Sequence, residues 1–242
     1  GRLFAQDYRT FADEYNDISS RKLIRVGPLR LVPAFHLSNV GYDTNVLYSP
    51  RETAAVSDYT ATLSPELTGY VLAGKSIMLT AVENPEYLFY AKENGLRTFT
   101  NSISPGIRLL LLRSLAVSAD YHFRQHTRRA YSEFGMPIMD TQKGVDGHVL
   151  FETARGSAIG FSGSVDDYRY SDPAAPDLSS YYADTLDRRE RALDFEFYYR
   201  IFTQSVFFTK AEYEDYTFVH DVSAWRDATS YQGVAGIRFP LT

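Results

Sequence analysis

Apolar and polar residues alternate along most of this chain with a period of two. From Leu29 to Leu37 every odd position is apolar. Leu115, Val117, Ala119, Tyr121 and Phe123 alternate with Ala116, Ser118, Asp120, His122 and Arg124. Val145, Gly147, Val149 and Phe151 alternate with Asp146, His148, Leu150 and Glu152, and the pattern returns over Leu193–Ile201, Phe207–Tyr213 and Tyr231–Phe239. Successive side chains of a strand point to opposite faces, so this period predicts strands with one apolar and one polar face. Roughly ten are expected, near 29–40, 57–71, 76–90, 97–111, 114–126, 144–154, 157–170, 186–201, 205–219 and 229–240. Most are far longer than the ~5–6 residues common in soluble proteins.

The first 28 residues differ. Phe4, Tyr8, Phe11, Tyr15 and Ile18 recur at helical spacing, with Asp7, Asp13 and Glu14 off that stripe. A short amphipathic helix is expected there, ending before Gly27-Pro28. It would pack on the main domain, or lie in a pore or on a membrane surface.

Connections sort into two kinds. Short turns are expected at Ala73-Gly74-Lys75, Leu112-Arg113-Ser114, Ala154-Arg155-Gly156 and Phe202-Thr203-Gln204, and long polar loops near 41–56, 91–96, 127–143, 171–185 and 220–228. Tight turns at one end and long loops at the other describe an antiparallel meander. Aromatic residues gather at strand ends, as in Tyr87, Phe89, Tyr90, Tyr168, Tyr170, Tyr213 and Tyr216. Together these features fit an outer-membrane barrel. A soluble β-sandwich or lipocalin-like barrel shares the alternation but buries the apolar face as a core. Strand length and loop asymmetry favour the membrane. The predicted fold is all-β: an antiparallel up-and-down transmembrane β-barrel over 29–242, after an N-terminal periplasmic segment, 1–28. The predicted location is the bacterial outer membrane.

That assignment sends one set of charged residues to the lumen. The candidates are Arg108, Asp120, His122, Arg124, Asp146, His148, Glu152, Asp194, Glu196, Arg200, Lys210, Glu212, Glu214 and Arg238. Their signs are interleaved, which argues against strong ion selectivity. The acidic concentration of Asp194, Glu196, Glu212 and Glu214 suggests a weak cation preference on one wall.

Composition narrows the chemistry. The chain has 242 residues, with 25 Lys+Arg and 30 Asp+Glu, for a net charge of −5. Without a basic cluster, nucleic acid is not an expected partner. There is no cysteine, so disulfides and thiolate sites are absent. No run approaches the ~18 apolar residues of a membrane helix. Gly69 to Ser76 matches the nucleotide-binding pattern G-x-x-x-x-G-K-[ST], but its inner residues, Tyr70, Val71, Leu72 and Ala73, are strand formers. A hairpin with Ala73-Gly74-Lys75 as its turn fits better. Gly160-Phe161-Ser162-Gly163-Ser164 lacks the last glycine of a nucleophile elbow. His122 and His126 share a face but lie about 13 Å apart, too far for one metal ion. No catalytic, cofactor or metal residue is therefore assigned, and the protein is not expected to be an enzyme.

Several segments carry a resemblance. Ser38-Asn39-Val40-Gly41-Tyr42-Asp43-Thr44-Asn45-Val46 after Arg30-Leu31-Val32-Pro33, Ser57 to Pro65, Glu83-Asn84-Pro85-Glu86-Tyr87, Phe195 to Arg200 and Gly236 to Pro240 resemble a family of outer-membrane β-barrel porins. Many of its members are encoded near exopolysaccharide or capsule genes. The resemblance implies a pore or export conduit for small solutes or polysaccharide. The alternative is a scaffolding barrel that holds a partner protein, periplasmic or surface, in the outer membrane. Relatives continue into further strands beyond Phe239-Pro240-Leu241-Thr242 and end on an aromatic residue. The resemblance therefore implies that this chain is the N-terminal part of a larger barrel, of roughly 16 strands. Its partners would include outer-membrane lipid. No cofactor is implied, and no oligomeric state.

Overall fold

Eleven strands form one sheet in simple sequence order, each antiparallel to the next. They are β1 (Ile24–Val26), β2 (Leu29–Asp43), β3 (Asp58–Ala73), β4 (Ile77–Tyr90), β5 (Thr98–Leu111), β6 (Leu115–Arg128), β7 (Ile138–Glu152), β8 (Ala158–Ser171), β9 (Arg188–Arg200), β10 (Val206–Phe218) and β11 (Ala228–Arg238). Two helices, α1 (Phe11–Ser20) and α2 (Pro176–Leu186), accompany them. This is a computed structural model that describes residues 10–21, 23–46, 55–128, 138–153, 157–171, 176–202 and 205–238. The first and last strands do not pair with each other, so the sheet is open.

The period-two pattern marks all ten long strands, and their ends fall close to the expected ones. The main shift is β7, which starts at Ile138 rather than near 144. The three-residue strand β1 is too short for a period. The helix α2 corrects the reading of 171–185 as a polar loop, and Leu178, Tyr181, Tyr182 and Leu186 do recur at helical spacing. The start of the expected N-terminal helix, Phe4 and Tyr8, and the turn at Ala154-Arg155-Gly156 lie outside the described residues, as do Thr203 and Gln204. What is described of that helix, α1, opens with a capping box. The Thr10 hydroxyl accepts from the Asp13 N–H at 3.0 Å, and the Asp13 carboxylate accepts from the Thr10 N–H.

Gly69 to Ser76 runs out of β3 into the hairpin to β4, with Gly74 at a φ of +64° and no helix after it. A phosphate cradle needs a helix N-terminus at that point, so the hairpin reading holds. One seam departs from regular pairing. Between Leu63↔Tyr87 and Leu67↔Glu83 the β3–β4 ladder is interrupted. The register there sets Pro65 against Pro85, and neither has an N–H to give.

The two faces of the sheet are unlike. Odd-numbered residues of the long strands form one apolar face, and much of it is exposed: Phe35, Leu79, Ile107, Val149, Phe161 and Leu193 are examples. Both helices pack on the other face. There α2 sets Tyr182 and Leu186 against Ile138, Tyr168 and Tyr170, near the long-loop end. At the short-turn end α1 sets Phe11 and Ile18 around Met78.

Candidate functional site

The face that carries the helices is concave and borders a half-open cavity of about 1540 Å³. Its walls are β5 to β10, and Phe11 and Glu14 of α1 contribute at the turn end. Strand register sets the wall residues in rows. Arg108, Ser118, His148, Ser162, Asp194 and Glu212 form one row across six strands. Asp120, Asp146 and Ser164 form the row beside it.

Two histidines stitch this wall together in the same way. His122 of β6 lies across Gly144 of β7 and meets the Asp166 carboxylate of β8. Its other ring nitrogen, Nδ1, is 3.0 Å from Asp146. A Cβ on Gly144 would run into both the His122 ring and Asp166, so only glycine lets the bridge form. His148 of β7 likewise passes Gly160 of β8 and meets Glu196 of β9, Nε2 to Oε1, at 2.8 Å. In each case an imidazole reaches an acid two strands away because the strand between presents no side chain. Around the first bridge, Gln142 donates to Asp166 at 2.7 Å, and Arg124 donates to Gln142 at 2.5 Å. Around the second, Tyr198 donates to Glu196 at 2.8 Å and Lys210 Nζ lies 3.4 Å away. Ser162 donates to Asp194 at 3.0 Å.

Gly144→Val is a direct test of the first bridge. It should overpack the wall and separate His122 from Asp166, costing about 1–3 kcal/mol. The measurement is the urea midpoint of the refolded protein, and an unchanged midpoint would show that the bridge bears no weight.

At the turn end the inner face becomes apolar. Leu150, Ala158, Tyr198, Val206 and Phe208 pack together at the turn end of β7 to β10. Tyr70, Leu72, Met78, Leu110 and Ala116 do so under α1. This explains Leu110, where alternation fails: the inner face of the strand end is covered by apolar material, while Leu111 and Leu112 are exposed. The α1 helix is fixed by an ion pair from Glu14 to Arg108 and by Tyr15, whose hydroxyl donates to the Gly74 carbonyl at 2.5 Å. Burying Phe11 and Ile18 contributes about 1.5–3 kcal/mol each.

At the loop end, Asp187 accepts from the Tyr170 N–H at 2.8 Å and from Arg169 at 3.2 Å. The Arg188 guanidinium sits over the Tyr168 ring, 4.4 Å from its centre, and donates to Tyr170 Oη at 2.8 Å. These contacts lock α2 and the start of β9 over the concave face.

Of the fourteen residues assigned to an inner wall from the sequence, Arg108, Asp120, His122, Arg124, Asp146, His148, Asp194, Glu196, Lys210 and Glu212 border the cavity. Glu214 borders a small cleft beside it, with Asp166 and Glu190. Glu152 sits under the first turn of α1, facing the Phe11 N–H. Arg200 and Arg238 are exposed at the turn end, away from the cavity, and Arg238 lies 5.9 Å from the centre of the Phe208 ring. Gln142, Asp166 and Glu14 were missed. Parity alone places Asp166 with Ser162 and Ser164, so it was within reach of the sequence. Nothing in the sequence pairs Glu14 with Arg108, 94 residues away.

No cluster of three or more acidic or histidine side chains able to hold a metal occurs among the described residues. The arrangement is a polar, mixed-charge wall, suited to solvate and bind. Compared with known proteins, the chain matches no family model and no curated protein.

Proposed function

We propose that this sheet is a wall of a bacterial outer-membrane β-barrel that works as a pore or export conduit for small solutes or polysaccharide. One observation carries the reading: the bare face is the apolar one. Both helices cover the polar, concave face, and among the described residues no second layer lies over the apolar face. A soluble sandwich would have it the other way round. Soluble monomers rarely expose apolar patches beyond a few hundred Å², whereas in a membrane barrel lipid takes the apolar face and water the other.

Strand stagger supports the same reading. Cross-strand partners lead from Leu29 through Val71, Leu79, Ile107, Ala119, Gly147, Gly163, Leu193 and Tyr213 to Tyr231. Leu29 is the first residue of its strand at the turn end, but Tyr231 stands seven residues above Arg238. Seven residues of climb over nine strand spacings correspond to a tilt of about 30°. That approaches the ~35–45° at which barrel strands stand.

A scaffolding barrel is the second reading, favoured by the apolar packing on the inner face at the turn end. Gel mobility of the detergent-extracted membrane fraction, boiled against unboiled, comes first. A heat-dependent shift is expected. In planar bilayers the pore should prefer cations, because carboxylates outnumber Arg and Lys around the cavity. A shift without conductance, whether α1 is seated or displaced, would leave the scaffold reading. A soluble protein with no shift would overturn both.

A further inference from the structure

We infer that α1 is a releasable plug, held by the Glu14–Arg108 ion pair across the turn end of the conduit; this rests on the pore reading. The helix is built to be held, yet not permanently. Its stripe of Phe11, Tyr15 and Ile18 sits on an apolar part of the inner face at the turn end, around Met78 and Leu72. Between that seat and the one under α2 lies the polar wall of β5 to β10. Phe11 and Glu14 also border the cavity, which makes the helix part of the boundary that a solute would meet.

The attachment consists of side chains only. No strand ladder ties α1 to the sheet, and the Glu14–Arg108 pair is partly open to solvent, at 28% and 32% exposure. The opposite side of the helix carries exposed Ala12, Asp13, Asn16 and Ser20, so it tolerates water when displaced. The tether is short. Past Arg21 the chain enters the β1–β2 hairpin, which pairs over only three residues and turns at Gly27 with a φ of +61°. Glycine takes that left-handed conformation without strain. The helix can thus swing about this hairpin while β2 stays in the sheet.

Arg108 is the only cation that the structure pairs with Glu14 among the described residues, which makes charge exchange a clean test. Glu14→Arg should place two guanidinium groups together and shift the helix toward its released position. Glu14→Arg with Arg108→Glu should seat it again. The chain has no cysteine, so Ile18→Cys adds a single thiol at a site 3% exposed. Its labelling by a membrane-impermeant maleimide then reports release independently of conduction.

In bilayers the single reversal is expected to raise conductance by up to about fivefold and to speed Ile18→Cys labelling in parallel, with the exchanged pair returning both to the starting level. Labelling that rises while conductance does not would overturn the plug. So would a reversal that changes neither. Failure of every form to insert, read from the heat-dependent shift, would instead overturn the pore reading and the plug with it.

Discussion

Phe161→Arg is expected to abolish the heat-shifted, membrane-inserted form. Phe161 lies on the apolar face of β8, 58% exposed, with its ring 5.2 Å from that of Phe195 on β9. Val149 of β7 is its partner on the other side. Along β8 the apolar positions run from Ile159 to Val165, and the next outward residue is Asp167, which pairs with Arg189. Phe161 is therefore in the middle of the apolar band. A cation at such a depth costs roughly 2–4 kcal/mol in lipid, a large part of the ~5–15 kcal/mol that holds a typical protein folded. Ser164→Arg is the control. That residue is on the same strand but borders the cavity opposite Asp146, where a cation meets water and a carboxylate. It should insert normally. If Phe161→Arg instead inserts as well as the parent chain, the band does not face lipid.

That contrast depends on parity, and parity is what the sequence displays best. A strand with unlike faces writes its orientation into every second residue, so the long strands and the sides of Asp120, His148, Glu196 and Lys210 can be read without coordinates. Three kinds of feature could not. Short elements such as β1 have no room for a period. The seat of α2, with Tyr182 and Leu186 meeting Tyr168 and Tyr170, has no local signature. The bridges over Gly144 and Gly160 require knowing which strands are adjacent and in which register. Each glycine is unremarkable in sequence; its role appears only when a histidine and an acid flank it. The inner face also breaks its own pattern at Leu72, Met78 and Leu110, because a helix lies there. A lone period-two reading counts such residues as noise. The edges were no more legible: each strand specifies its neighbours, and nothing in the alternation names partners for β1 and β11, the edge strands of the open sheet.

Glu196 shows how far a face assignment falls short of a structure. Read from the sequence, it is one of many charges on a watery wall, and its removal should matter little. In the fold it accepts from His148 and Tyr198, each at 2.8 Å, with Lys210 at 3.4 Å, and its side chain is only 16% exposed. Glu196→Leu keeps a similar bulk over Gly160 but takes the acceptor from three donors at once. Removing one partner of a well-buried pair costs ~3–5 kcal/mol. Lys210 and His148 are partly solvated, at 26% and 35% exposure, which lowers the expected loss to about 2–3 kcal/mol. Glu196→Gln retains one acceptor oxygen and should lose about half as much. Adding Lys210→Met to Glu196→Leu removes the stranded cation and should recover part of the loss, since residues in one network are not additive. The urea midpoint of the unboiled gel band measures all of these. A Glu196→Leu midpoint equal to that of the parent would mean that water already satisfies the three donors. The inner wall would then be an open aqueous surface, with no packed network holding β7, β9 and β10 in register.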